Sequence, residues 1–280
     1  MKALFLLLPF VAGCVPWGDA SQWSGVPDLI VSWELLLDEG GIPSQPPPVD
    51  YLGLDGFGTD ARYVDEALDQ GTLPWCHISV GTAESWRDDY ASFIAVDAAE
   101  VAAGSESILG GDFAGEPGER WLNIQRYEVF LEIMVDRFRM CSEKGFELVE
   151  FDKMDASTAA TGLSITQQDV RSYTAALISE AQEEGLGVIQ KNGEGLIPDL
   201  EPSMDVLLLE SCVLDDFCLA GRPFLDSGKP VLNVEYSESW GDAGRNLDID
   251  DMCAIAEAAG ANAMLKTRDL DERSVVCAAR

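Results

Sequence analysis

The stretch Glu147-Leu-Val-Glu-Phe-Asp-Lys-Met-Asp155 decides how the rest of the chain reads. Leu148, Val149 and Phe151 make a short apolar run that suits a buried strand, and the run ends abruptly in Glu150, Asp152 and Asp155, with Lys153 among them. Holding several carboxylates together at the end of a buried strand is unfavourable unless something uses them.

Outward from this strand, short apolar runs alternate with longer helical patterns, as in parallel βα units. Candidate strands cover 31–37, 49–55, 75–80, 148–152, 187–192, 206–210, 231–236 and 263–266. Eight such strands close a single (β/α)₈ TIM barrel, an α/β fold that suits this length. The intervening segments agree. A helix over 127–143 puts Phe130, Met134, Phe138 and Cys141 on one face and stops at Lys144-Gly145. Thr166 and Asp169 form a capping box for a helix that carries Val170, Tyr173, Leu177 and Ala181 inward. The longest connection joins the third and fourth strands, and its stretch 99–118, rich in Gly, Ser and Glu, reads as an extended surface loop.

The chain begins like a bacterial export signal: Lys2, then a short apolar core, then Val11-Ala12-Gly13-Cys14. This order is that of a lipoprotein signal, with residues 1–13 removed and Cys14 acylated. Residues 14–27 then form a tether and 28–280 the barrel. The expected location is outside the cytoplasm, lipid-anchored to the bacterial cell envelope on its periplasmic face or cell surface, with the lipid as the only contact with the membrane. The chain is expected to act as a monomer.

The six cysteines after Cys14 are an even number in an exported chain, which suggests disulfides. If His77 and Ser79 point into the barrel, Cys76 points out toward the helices, where Cys141 lies on an inner helix face. That pairs Cys76 with Cys141, Cys212 with the nearby Cys218, and Cys253 with Cys277. Zinc is disfavoured because no CxxC pair exists and His77 is the sole histidine. The net charge of −32, from 50 acidic and 18 basic residues, repels nucleic acid and suits either a salty habitat or a cationic substrate.

Catalytic groups of such barrels sit at the C-terminal ends of strands. Those ends carry Asp55, His77 with Ser79, Asp152, Lys191 with Asn192, Glu210, Glu235 and Lys266. Two carboxylates facing each other across the mouth suit glycoside hydrolysis, one as acid and the other as nucleophile or base. Asp152 and Glu210 form such a pair, with Glu235 as a substitute for either. Trp33, Trp86 and Tyr236 are placed to stack on sugar rings. A Schiff-base enzyme would instead use Lys191 or Lys266. A serine hydrolase would need His77, and no Gly-x-Ser-x-Gly elbow is present.

These residues fall in motifs that resemble glycoside hydrolase family 114, the endo-α-1,4-polygalactosaminidases. The segments are Cys76-His-Ile-Ser-Val-Gly81, Ser85-Trp86-Arg87, Pro117-Gly-Glu-Arg-Trp-Leu-Asn-Ile124, Glu150-Phe-Asp152, Lys191-Asn192, Glu210-Ser-Cys212, Val234-Glu-Tyr236 and Leu265-Lys266. The resemblance implies a (β/α)₈ barrel, Asp152 and Glu210 as the catalytic pair, no cofactor and no metal, and an amino-sugar polysaccharide as partner. Asp55, Glu150, Asp155 and Glu235 would then attract substrate ammonium groups, and His77, Ser79, Arg87, Lys191 and Asn192 would bind hydroxyls. Three positions depart from the family pattern: Lys153 and Leu209 replace asparagines, and Asn123 replaces an aspartate. A polysaccharide-binding lipoprotein without chemistry is the alternative reading. If the Lys153 ammonium reaches Asp152, it favours the ionised carboxylate, and so a nucleophile or base.

Overall fold

The computed structural model describes residues 30–37, 42–244, 246 and 248–277. The expected signal segment, the lipidation site Cys14 and the tether lie outside the described residues. Among the described residues, no helix is long and apolar enough to cross a membrane.

The strands in chain order are β1 (Trp33–Leu36), β2 (Tyr51–Asp55), β3 (Leu73–Ser79), β4 (Thr82–Glu84), β5 (Leu109–Asp112), β6 (Glu119–Leu122), β7 (Leu148–Asp152), β8 (Gly187–Lys191), β9 (Val206–Glu210), β10 (Val231–Tyr236), β11 (Asn262–Lys266) and β12 (Ser274–Val276). The helices are α1 (Ala61–Asp69), α2 (Tyr90–Ala102), α3 (Leu131–Glu143), α4 (Gln167–Glu183), α5 (Ile197–Leu200), α6 (Arg222–Asp226), α7 (Ser237–Asp242) and α8 (Ile249–Ala258). One curled sheet runs β1-β2-β3-β7-β8-β9-β10-β11-β12, parallel throughout except for the antiparallel last pair. Its eight parallel strands are the eight read from the sequence.

Side chains join β1 to β11 at the seam of the barrel. Trp33 Nε1 donates to the Asn262 carbonyl at 2.8 Å, Val31 N donates to Asn262 Oδ1 at 3.0 Å, and the Lys266 ammonium meets Glu34 Oε1 at 2.5 Å. Lys266 is thereby committed to the seam and is no nucleophile.

Strand alternation sorts the core into two layers. Trp33, Leu35, Tyr51, Trp75, Leu148, Ile189, Leu208, Val234 and Met264 fill the barrel interior. Residues of opposite parity, among them Leu52, Cys76, Val149, Leu207 and Leu209, pack against the helices. Each such buried aliphatic or aromatic side chain contributes about 1.5–3 kcal/mol. Gly53 leaves the space that Trp75 fills, since a Cβ there would lie 2.3 Å from the indole.

The helices are set by the signals the sequence carries. Thr166 and Asp169 form the capping box of α4, and Gly145, with φ of 90°, ends the turn after α3. Cys76–Cys141, Cys212–Cys218 and Cys253–Cys277 are all bonded. The first ties the outer face of β3 to α3, as the parity of His77 and Cys76 requires.

The stretch 99–118 differs from the expected loop. It holds the end of α2 and then β5, which with β4 and β6 makes a separate antiparallel sheet of order β4-β6-β5. This sheet stands beside the ends of β3 and β7: Leu122 N donates to the Gly81 carbonyl at 2.9 Å, and Gly111 N donates to the Thr161 carbonyl at 2.7 Å.

Candidate active site

Strands β7, β8 and β9 each end on an ionisable residue: Asp152, Lys191 and Glu210. The residue after each turns the chain through the left-handed region, with φ of 64° at Lys153, 51° at Asn192 and 58° at Ser211. Few side chains other than glycine adopt that conformation, and asparagine does so more readily than most. The repeated turn leaves the three ionic side chains facing one another inside the mouth.

The Lys191 ammonium is the hub. Its Nζ lies 3.3 Å from Glu150 Oε1, 3.4 Å from Asp152 Oδ1 and 3.5 Å from Glu210 Oε1. Burial alone would favour a neutral amine, but Asp152, Glu210 and Glu150 more than offset it and hold the lysine well above its usual range. A permanently protonated amine cannot attack a carbonyl, so the Schiff-base reading of Lys191 fails.

Asp152 is held by several donors. Lys153 Nζ reaches Oδ2 at 2.9 Å, the Lys153 backbone N–H donates to Oδ1 at 2.9 Å, and His77 Nε2 stands 3.9 Å from Oδ2. Burial would raise this carboxyl, but Lys153, then Lys191 and His77, bring it well below the ordinary carboxylate range. Asp152 is therefore held as an ionised carboxylate.

Glu210 sits in a different shell. Tyr236 Oη donates to Oε1 at 2.5 Å, Asn192 Nδ2 donates to Oε2 at 2.8 Å, and Glu210 N donates back to Asn192 Oδ1 at 2.9 Å. Its side chain is 25% exposed against 10% for Asp152, so Glu210 is the more open of the two. Asn192 and Tyr236 thus position a carboxylate, rather than standing free for hydroxyls or sugar faces. Burial, then the neighbouring Glu210, keeps the Tyr236 phenol protonated and able to donate.

Several expected substrate contacts are corrected. Glu150 is 0% exposed and lies one layer beneath Asp152; it accepts from Trp75 Nε1 at 2.6 Å and His77 Nδ1 at 3.0 Å. It orients His77 and Lys191 and cannot reach a substrate. Glu235 is also 0% exposed, because it has the outward parity of its strand; Val213 N, Asn233 Nδ2 and Trp240 Nε1 bond to it. Trp33 is buried at the start of β1, far along the strand from the mouth. Asp55 is buried in a bidentate pair with Arg87, at 2.9 and 2.5 Å, so neither side chain is offered to a ligand. Ser79 is buried too, against Thr82 Oγ1.

Trp86, 47% exposed, and Asp155, also exposed, remain at the rim. Asp155 is within electrostatic reach of Asp152, Lys153 and Glu210. The small sheet adds residues the strand-end reading missed. The Phe113 ring lies 4.6 Å from Lys153 Nζ, and Glu119 accepts from Thr82 Oγ1 at 2.5 Å and lies near Lys153. Glu119 stood in the quoted Pro117-Gly-Glu motif, which was its signal. Phe113 carried none. Leu209 is buried on the outer, helix-facing side of β9, so this departure from the family pattern does not touch the site. Asn123 is buried as well, with Nδ2 donating to the Ser107 carbonyl at 3.3 Å, in the frame of the small sheet.

The comparisons agree with this geometry. The family model Glycoside-hydrolase family GH114 matches residues 16–280. Among solved structures, Aspergillus fumigatus Ega3 in complex with galactosamine is 27% identical, with a TM-score of 0.78 over 90% of this chain and 96% of that one. The glycoside hydrolase domain of Pseudomonas aeruginosa PelA shares the fold at 16% identity and a TM-score of 0.59, over 87% of this chain and 97% of that one. No curated protein matches. With a matching model across nearly the whole sequence and an ionised carboxylate facing a second one at the barrel mouth, the chain belongs to glycoside-hydrolase family GH114 and is a glycosidase.

Proposed function

We propose that the protein cleaves a galactosamine-containing polysaccharide by a two-carboxylate mechanism, with Asp152 as nucleophile and Glu210 as acid and base. The observation that carries this reading is the shared contact with Lys191, 3.4 Å from Asp152 Oδ1 and 3.5 Å from Glu210 Oε1, which bounds the separation of those oxygens at 6.9 Å. Retaining glycosidases space their carboxyls about 5–5.5 Å apart and inverting ones roughly 6.5–9.5 Å; the bound spans the retaining range and reaches only the lower edge of the inverting one, and retention is the outcome we propose.

Glu210 protonates the departing glycosidic oxygen while Asp152 attacks the anomeric carbon and forms a glycosyl ester. Glu210 then takes a proton from water, which displaces Asp152 and releases the sugar with its anomeric configuration kept. Ega3, crystallised with galactosamine, supports the choice of sugar, and the net charge of −32 supports a polymer bearing ammonium groups. Export and anchoring through acylated Cys14, with the chain acting as a monomer, complete the reading. Mass analysis of the N-terminal peptide tests the anchor.

The second reading, a polysaccharide-binding surface lipoprotein, draws on the Lys153 ammonium that lies on Asp152 Oδ2. Incubating the protein with galactosamine oligomers separates the two. Shorter products with the original anomeric configuration, read by proton NMR, support hydrolysis; binding without shortening supports the second reading.

A further inference from the structure

Lys153 has no part in the two proton transfers or the attack described above, yet it is firmly seated. Its backbone takes a φ of 64°, and the chain passes so close to Gly81 that a Cβ there would stand 2.0 Å from the Lys153 carbonyl oxygen. Three elements fix the ammonium: Asp152 at the end of β7, the Phe113 ring just after β5, and the nearby Glu119 of β6. Phe113 is itself braced edge-on against Trp121, at 5.7 Å between ring centroids. The side chain remains 22% exposed, so a ligand at Asp152 meets it.

The charge count at the mouth turns on this residue. Glu150, Asp152 and Glu210 face Lys191, Lys153 and His77, whose imidazolium form is favoured by Glu150 and Asp152. Lys153 thus adds a second ammonium to that of Lys191 at Asp152, and with asparagine at this position the mouth would hold one positive charge fewer, which suits a sugar ammonium better. Lys153 Nζ lies 2.9 Å from Asp152 Oδ2 and is partly exposed, so a sugar ring brought against this carboxylate meets the ammonium.

We propose that Lys153 is a specificity-determining residue: its ammonium occupies the place where a free-amine sugar would put its own cation, so the unit bound against Asp152 carries a neutral N-acyl group. The acyl carbonyl then accepts a hydrogen bond from Nζ, whereas a free amine meets a like charge at close range. The proposal rests on the reading of this mouth as a galactosaminide site. It concerns one subsite, so the polymer as a whole can still carry free amines.

The test is calorimetric binding of two galactosamine tetramers, one fully N-acetylated and one with free amines, to protein bearing Glu210→Gln, with and without Lys153→Asn. The change in the ratio of the two affinities between the two proteins cancels the long-range field that they share. Lys153→Asn is expected to move that ratio about tenfold or more toward the free-amine tetramer, with Lys153→Arg leaving it in place. An unmoved ratio, a shift the other way, or no binding of either tetramer overturns the proposal. Cleavage by the unmutated protein is scored separately: a shifted ratio without cleavage removes the hydrolase reading alone, and cleavage with an unmoved ratio removes the specificity proposal alone.

Discussion

Glu150 Oε1 and His77 Nδ1 lie 3.0 Å apart at the bottom of the mouth, a buried carboxylate and an imidazole that each favour the other's charged form. Burial opposes both charges. For Glu150 the Lys191 and His77 cations prevail and bring its pKa down to about 2, and for His77 the Glu150 carboxylate prevails and raises it. The two shifts act on stability from opposite ends of the pH scale.

A lowered carboxyl stabilises the fold above its unfolded value near pH 4.5, and that contribution is lost as pH falls toward 2. It amounts to on the order of 3 kcal/mol. A raised histidine stabilises fully below about pH 6.5 and loses its contribution as pH rises through its folded value. Stability from this pair is therefore greatest between about pH 4.5 and 6.5. Urea melts across pH check it, and Glu150→Gln should flatten the acid limb.

Lys191→Met leaves three carboxylates facing one another without their shared cation. Removing one partner of a buried ion pair costs about 3–5 kcal/mol, so the variant should unfold at clearly lower urea and lose activity. A variant as stable as the parent would mean that the mouth is far wetter than its burial indicates.

Tyr236→Phe removes the hydroxyl that donates to Glu210 at 2.5 Å and leaves the ring in place. Hydrogen bonds to charged groups are worth about 1.5–3 kcal/mol, so kcat should drop roughly tenfold or more. KM should change little, and urea stability should fall by no more than the worth of that hydrogen bond. A loss confined to KM would instead make Tyr236 a substrate contact.

The disulfides should differ in worth with the loops they close. Cys76–Cys141 spans 65 residues and Cys212–Cys218 spans 6. Loop-closure entropy then gives about 4 kcal/mol for the first and about 2 kcal/mol for the second. Paired Cys→Ala variants, compared by urea unfolding, test this order.

Much of this architecture was legible because it rests on local rules. Leu148 to Asp152, Val206 to Glu210 and Val231 to Tyr236 were bounded correctly, since each is an apolar run with a polar stop. Strand parity at Cys76, with Cys141 on the inner face of its helix, paired the two. The same rule, applied to β10, would have excluded Glu235, because Val234 and Tyr236 share the inward face and Glu235 lies between them. The small sheet was not legible: Leu109 to Asp112 holds two glycines and no alternation, and its pairing with β6 is long-range. Depth along the barrel axis was hidden as well. Glu150 and Asp152 have the same parity, and only the hydrogen bond from Trp75 Nε1 to Glu150 and its full burial show that one is a floor and the other a face.

The central claim is that Asp152 and Glu210 together break the glycosidic bond. Its most direct test is the rate of shortening of galactosamine oligomers by the parent protein, Asp152→Asn and Glu210→Gln, with folding checked by circular dichroism. The account predicts cleavage by the parent and a fall of about a thousandfold or more in each folded variant. Cleavage by either folded variant at the parental rate would contradict it.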